Sequence, residues 1–196
     1  MRQIITAILS LGVAGMLHAQ MLTCSDALIT DLRAKDPQAI GDGLDEILDL
    51  ARGIAFPRGF GEEEPEPNPL LALKILEQIE LEGLQAFEKS EVYDHFANVL
   101  YSLGETNSAA QYAQKVLDEP GSNPDALTNG LRIVGRNLLD SGQYCESVEY
   151  YFAYTCSMGG LSAEEFAEVG MVLQGLGAGE GDLNVPRRVA QCRQGQ

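Results

Sequence analysis

The segment ANVLYSLGETNSA, residues 97–109, opens on a small residue, has a glycine seven positions later, and carries a second small residue five positions after that. The pattern returns 38 residues further on in GRNLLDSGQYCES, residues 135–147, and begins again after another 35 residues in GMVLQGLG, residues 170–177. A repeat of this length is typical of stacked helical hairpins. Small residues let two antiparallel helices cross closely, and a glycine is expected to end each first helix in the left-handed conformation. The sequence therefore predicts an all-α protein of antiparallel helical hairpins.

These segments resemble the tetratricopeptide-repeat family, whose repeat of about 34 residues has small residues at its eighth and twentieth positions and often glycine at its fifteenth. Residues 90–124 and 128–161 fit this pattern best, and residues 163–177 fit a lone terminal helix. Residues 68–82 resemble the second helix of an earlier, degenerate repeat. The resemblance implies a short solenoid over residues 70–182. Sel1-like repeats and an irregular helical bundle are the alternatives.

The resemblance also implies binding, because the first helices of such repeats line a concave groove that holds a peptide or a helix of another protein. Arg132 and Arg136 lie four positions apart on one helical face, a spacing that suits a clamp for a carboxylate or an acidic peptide. The alternative is that both arginines pair with carboxylates of the protein itself, such as Asp94 or Asp140. Family positions carried over onto this chain place the following residues in the groove: Asp94, Asn98, Tyr101, Asn129, Arg132, Arg136 and Leu139, with Glu164 and Met171 from the last helix.

Helix starts are marked by residues that satisfy the free N–H groups of a first turn. Asn68 and Asn123 are each followed by proline and are predicted to be N-caps. Ser90 is predicted to cap the next helix, and Ser162 with Glu165 forms a predicted capping box.

The first 19 residues are expected to be a secretory signal peptide. Arg2 precedes an apolar run over residues 4–17, and an acceptable cleavage site ends at Ala19. The run is shorter than the roughly 20 residues of a membrane span, so a retained anchor is the less favoured alternative, as is lipidation of Cys24. The sequence therefore predicts a secreted protein of the bacterial periplasm, with no membrane span in the mature chain.

Three further segments lie outside the predicted repeats. Residues 20–52 are expected to form an N-terminal helical segment, and residues 183–196 a C-terminal tail. Residues 53–69 (GIAFPRGFGEEEPEPNP) have no helical or alternating period, so this acidic, Pro/Gly-rich loop is interpreted as a solvated tether. Phe56 and Phe60 within it are candidates for an exposed contact or for packing onto the core.

Four cysteines, Cys24, Cys145, Cys156 and Cys192, follow the predicted signal peptide, and an even number predicts two disulfides in an oxidising compartment. Cys145 and Cys156 are expected to open and close one helix. At 11 residues apart they would lie about 16 Å from each other, too far for the roughly 7 Å limit between bridged Cα atoms. Two bridges would then join Cys24 and Cys192 to the inner cysteines, in either order. Free, buried thiols are the alternative.

The chain carries 29 acidic and 13 basic residues and has a formal net charge of −16 at pH 7. Such a surface repels phosphate, which argues against nucleic-acid binding and favours basic partners. His95 is the only histidine after the predicted signal peptide, and the sequence has neither H-E-x-x-H nor G-x-S-x-G. We therefore predict no enzyme activity, metal or cofactor, and expect a module that binds a protein or peptide. The alternative is a disulfide-braced helical bundle with a structural or small-ligand-binding role.

Overall fold

The computed structural model describes residues 24, 27, 39–57, 65–158, 163–177 and 184–195. These residues form eight α-helices and no β-strand, so the all-α prediction is confirmed for them. In chain order the helices are α1 (Asp42–Ala55), α2 (Pro69–Leu76), α3 (Ala86–Ser102), α4 (Thr106–Asp118), α5 (Pro124–Asp140), α6 (Tyr144–Met158), α7 (Ala163–Gly175) and α8 (Val185–Gly195).

The helices pack in a row that follows their order along the chain. Contacts join α1 to α2, α3 to α4, and α5 to α6. Helix α3 also contacts α1 and α5, and α5 contacts α7. Helices α2, α4 and α6 contact α3, α5 and α7, respectively. Buried apolar side chains form three clusters along this row, the first centred on α1 to α3, the second on α3 to α5, and the third on α5 to α8. The core is therefore distributed along the row.

Glycine turns the chain after three of the helices. Gly104, Gly142 and Gly177 have φ angles of 79°, 74° and 74°. These angles lie in the left-handed region, where a side chain would be strained. The predicted role of these three glycines is confirmed.

A close helix crossing occurs between α5 and α6 at Gly135 and Ser147. The Ser147 hydroxyl donates a 2.8 Å hydrogen bond to the carbonyl oxygen of Gly135. A Cβ atom added at Gly135 would lie 3.2 Å from two ring carbons of Tyr151, whose side chain is fully buried. Ala97 and Ala109, at the corresponding positions of α3 and α4, are also fully buried.

Replacing Gly135 with alanine is expected to lower the free energy of unfolding by about 2 kcal/mol, because the new methyl group overpacks against Tyr151. Gly170→Ala is the matched control, since a Cβ atom added at Gly170 meets no described atom within 4 Å. Alanine has the higher helix propensity, so this control should gain up to about 1 kcal/mol. Urea denaturation followed by circular dichroism measures both variants, and a shift of the same sign for both would contradict the proposed crossing.

The two predicted asparagine caps behave differently. The Asn68 side chain accepts a 3.0 Å hydrogen bond from the Leu71 N–H, so it caps α2 as predicted. Asn123 precedes α5 but makes no side-chain cap there. Its Nδ2 donates to Glu91 Oε1 at 2.6 Å. The side chains of the predicted Ser162–Glu165 capping box lie outside the described residues.

The prediction that Ser90 caps a helix is wrong. Helix α3 already begins at Ala86, and the Ser90 hydroxyl donates to the carbonyl oxygen of Phe87 within the helix. The start of α3 is held instead by Glu88, whose Oε2 accepts a 2.9 Å hydrogen bond from the Gln85 N–H.

Two disulfides join Cys24 and Cys192 to α6. Cys24 pairs with Cys156 and Cys145 with Cys192, with a Cα–Cα distance of 5.5 Å in each bridge. Cys145 and Cys156 stand at opposite ends of α6 and do not pair, as predicted. None of the four cysteines is free, so the alternative of buried thiols is wrong. Such bridges fit an oxidising, extracytoplasmic compartment.

Some segment bounds differ from the sequence prediction or lie beyond the described ranges. Helix α1 continues to Ala55 and takes in the start of the predicted loop, and the predicted tail contains α8. Residues 1–19 and 58–64, and with them the signal-peptide prediction and Phe60, lie outside the described residues. In the described ranges, no helix combines the length and apolar character that a membrane crossing requires.

Candidate functional site

Four of the predicted groove residues lie together where α3 faces α5. Asn129 Nδ2 lies 2.6 Å from Asp94 Oδ1 and 3.1 Å from Asn98 Oδ1, and it donates to both. Asn98 Nδ2 donates to Asp94 Oδ2 at 3.0 Å, and Arg132 Nη2 donates to Asn129 Oδ1 at 3.2 Å. Each helix contributes residues three or four positions apart, which share one face. A single polar network therefore crosses from α3 to α5.

The other predicted residues are more dispersed. The Arg132 guanidinium lies 5.9 Å from the centre of the Tyr101 ring, which places Tyr101 at the edge of the network. Leu139 is half-buried and packs against the apolar cluster of α5 to α8. Met171 is exposed on α7, and the side chain of Glu164 lies outside the described residues.

Arg136 pairs with the protein's own carboxylates, the second of the two alternatives considered for it. Its Nε lies 3.1 Å from Asp140 Oδ1, and its Nη1 lies 3.2 Å from Glu168 Oε1. Glu168 also accepts a 3.0 Å hydrogen bond from the Tyr151 hydroxyl. Arg136 therefore links α5 to α7, and its donors are directed to these two carboxylates.

A cavity of about 600 Å³ opens beside the polar network, between the end of α1, the middle of α3 and the start of α5. A second cavity of about 370 Å³ continues towards the end of α6. The two share the lining residues Pro124, Asp125 and Asn129, and the surface that they line is called the α3–α5 groove below. Its other lining residues include Ile40, Arg52, Phe56, Glu91, Asp94, His95, Asn98, Val99, Asn123, Ala126, Thr128, Arg132, Tyr154, Ser157 and Met158.

Two carboxylates in the groove are partly buried. Burial raises the pKa of Asp94 to about 7, although the hydrogen bond from Asn129 acts in the opposite direction. Burial also raises the pKa of Glu91, against the effect of the hydrogen bond from Asn123. The amide groups of Asn129 and Asn123 donate to these carboxylates without neutralising their charge.

His95 is a neutral part of the groove wall. Its Nδ1 lies 2.9 Å from the carbonyl oxygen of Glu91, so Nδ1 carries the proton and donates. Its Nε2 then accepts a hydrogen bond from Arg52 Nη2 at 3.2 Å. Burial, assisted by the charge of Arg52, lowers the pKa of His95. Arg52 also pairs with Asp49 at 3.4 Å.

Replacing Asp94 with asparagine is expected to reduce the loss of stability at rising pH. The pKa of Asp94 is about 7 in the folded state, above an unfolded-state value of about 3.9, so the folded state binds more protons between these values. Stability is therefore lost as the pH rises from about 4 through about 7, and Asp94→Asn should lack this loss, so its stability relative to wild type should rise between pH 4 and pH 8.

Urea denaturation at pH 4, 6 and 8 measures this effect. Glu82→Gln removes an exposed carboxylate outside the groove and serves as the control. If Asp94→Asn had the same pH profile as wild type, burial of this carboxylate would not govern its titration.

The sequence prediction did not include Arg52, Glu91 or His95 in the groove. Glu91 lies three positions before Asp94 and four positions before His95, so extending the predicted face of α3 by one turn could have found both Glu91 and His95. Arg52 gives no comparable signal, because its position depends on how α1 packs against α3.

Within the described ranges, no group of three or more His, Cys, Asp or Glu side chains is placed to hold a metal ion. The chain matches no protein-family model, no curated protein and no solved structure. Function is therefore inferred from the groove and its surroundings.

Proposed function

We propose that the protein is a binding module of tetratricopeptide-like hairpins that holds an extended segment of another protein in the α3–α5 groove. The observation that carries this proposal is that two open cavities, one beside α3 and one beside α6, share the α5 residues Pro124, Asp125 and Asn129 in their linings. Adjoining open cavities suit a chain that lies across several helices, whereas a single enclosed pocket suits a small ligand.

The packing order of the helices supports the proposal. Contacts between successive odd-numbered helices, with the even-numbered helices packed against them, are those expected of stacked hairpins. Three successive apolar clusters are also expected when each hairpin packs mainly on its neighbours. In such a stack, α3 and α5 are the first helices of adjacent hairpins and would line the concave side.

The polar side chains of the groove are held in place before any partner arrives. Asp94, Asn98 and Asn129 bond to one another, and all three lie on helices rather than on loops. Side chains fixed in this way lose little conformational entropy on binding, which favours recognition.

The two disulfides support a secreted protein, because such bridges persist in an oxidising compartment. The formal net charge of −16 at pH 7 is compatible with the basic partners favoured by the sequence.

Selection from a random-peptide phage library, followed by calorimetry with the recovered peptides, tests the proposal. Asp125→Trp places a bulky side chain where the two cavities meet and should weaken peptide binding at least tenfold. Asp118→Trp makes the same change on the exposed end of α4 and should leave the affinity unchanged. Circular dichroism establishes that both variants are folded.

Equal affinities of these two variants would place binding elsewhere on the protein. Failure to recover any peptide that binds wild type, combined with binding of a small molecule in the larger cavity, would favour the small-ligand alternative instead.

A further inference from the structure

We infer that the α3–α5 groove recognises a basic partner segment, and that one lysine or arginine side chain of this segment enters the larger cavity between α1, α3 and α5. The inference rests on the proposed function and names the chemistry of the partner. It follows from the charges, the hydrogen bonds and the apolar wall of that cavity.

The described lining of the larger cavity has more negative than positive charge. Glu91, Asp94 and Asp125 contribute carboxylates, and Arg52 contributes a guanidinium. The Arg52 guanidinium already contacts Asp49 and the His95 ring at the edge of the cavity. This guanidinium also attracts Glu91 and Asp94, but it is one positive charge against three carboxylates, so an incoming cation would meet a lining that remains negative.

The hydrogen bonds of these carboxylates come from neutral groups. Asp94 accepts from Asn98 and Asn129, and Glu91 accepts from Asn123. The amides orient the carboxylates but supply no countercharge. An ammonium or guanidinium group would add charge-assisted hydrogen bonds, which are stronger than those between neutral groups.

An apolar wall lies beside the carboxylates. Ile40, Phe56 and Val99 line the same cavity, and Phe56 is 41% exposed although it is a large apolar residue. The side chains of lysine and arginine have apolar stems and charged ends, so they match a cavity with one apolar wall and one acidic wall. A simple metal ion would leave the apolar wall unused.

An acidic partner fits the groove less well. Arg136 donates from Nε to Asp140 and from Nη1 to Glu168, and Arg132 donates from Nη2 to Asn129 and lies over Tyr101. A carboxylate held between the two arginines would therefore compete with these contacts. The net charge of −16 would also repel an acidic chain at long range.

Three acetylated and amidated five-residue peptides test the inference, identical except for arginine, citrulline or glutamate at the central position. Citrulline has nearly the same shape as arginine but carries no charge. Titrations at pH 8, followed by ¹⁵N–¹H correlation spectra, compare wild type with Asp94→Asn. Asp118→Asn, on the exposed end of α4, is the matched control.

The arginine peptide is expected to shift the amide signals of α3 and α5 saturably in wild type and in Asp118→Asn. Its affinity should fall at least tenfold in Asp94→Asn, and the citrulline peptide should bind wild type at least tenfold more weakly. Equal affinities for arginine and citrulline would overturn the inference and leave peptide binding in the groove intact. Tighter binding of the glutamate peptide would also overturn it. Saturable shifts with none of the peptides would count against both the inference and the proposed function.

Discussion

Replacing Cys145 and Cys192 together with serine is expected to lower the free energy of unfolding by about 4 kcal/mol. The bridge joins residues 47 apart in sequence, and without it the unfolded chain gains the entropy of a loop of that length. In the described structure α8 contacts only α6 and α7, so the bridge holds this last helix onto the row. Urea denaturation without reductant, followed by circular dichroism, measures the change.

The Cys24→Ser/Cys156→Ser double variant provides the comparison. Its bridge spans 132 residues, for which the same chain-entropy argument gives about 5 kcal/mol. Both double variants avoid leaving a free thiol partner. An unchanged denaturation midpoint for the Cys145/Cys192 variant would show that α8 is held by packing alone. Limited proteolysis would then be expected to leave α8 intact.

The turns and several helix starts could be predicted because short stretches of sequence determine them. Gly104 and Gly142 supply the positive φ that a tight turn after a helix requires. Asn68 caps α2 because its oxygen reaches an N–H only three residues away. Features of this kind depend on local backbone geometry, which restricts the residue types allowed at neighbouring positions.

Partners distant in the sequence could not be predicted in this way. Asn123 has the sequence context of a helix cap, but it donates to Glu91, 32 residues away. Arg136 likewise reaches Glu168 across a separation of 32 residues. Which partner a polar side chain takes depends on how the helices pack, and the periodicity of a single helix carries no information about that.

The disulfide pairing could likewise be predicted only in part from the sequence. Helix geometry excluded a Cys145–Cys156 bridge, because the two cysteines stand at opposite ends of α6. The two pairings that remained differ in which end of α6 is bridged to Cys24 and which to Cys192. The structure places Cys24 at the end of α6 and Cys192 at its start.

The candidate groove was only partly predictable for a related reason. Asp94, Asn98, Asn129 and Arg132 were expected there from the family resemblance, and the structure brings their side chains together. That they form a binding surface remains a prediction. The acidic character of the larger cavity could not be predicted, because its lining depends on how α1 and α5 pack around α3. This packing favours the basic partner that the net charge suggests over the acidic peptide considered for Arg132 and Arg136.

Truncating Glu168 to alanine is expected to lower the free energy of unfolding by about 3 kcal/mol, because buried hydrogen-bonded groups lose their partner. Glu168 is only 7% exposed. It accepts from the Tyr151 hydroxyl at 3.0 Å and pairs with Arg136 at 3.2 Å, so it joins α7 to α6 and α5. Its loss would leave the hydroxyl of a fully buried tyrosine without this acceptor. Urea denaturation at pH 7 measures the effect.

Two further variants separate the contributions of Glu168. Glu168→Gln retains an oxygen that accepts from Tyr151 but removes the charge facing Arg136, so it should cost only about 1 kcal/mol. Asp140→Ala removes the more exposed partner of Arg136, and a solvent-exposed ion pair is worth at most about 0.5 kcal/mol on one helix. The expected order of destabilisation is therefore Glu168→Ala, Glu168→Gln, then Asp140→Ala. If Asp140→Ala proved as costly as Glu168→Ala, Arg136 would be stabilised mainly within α5, and α7 would not depend on the buried carboxylate for its attachment.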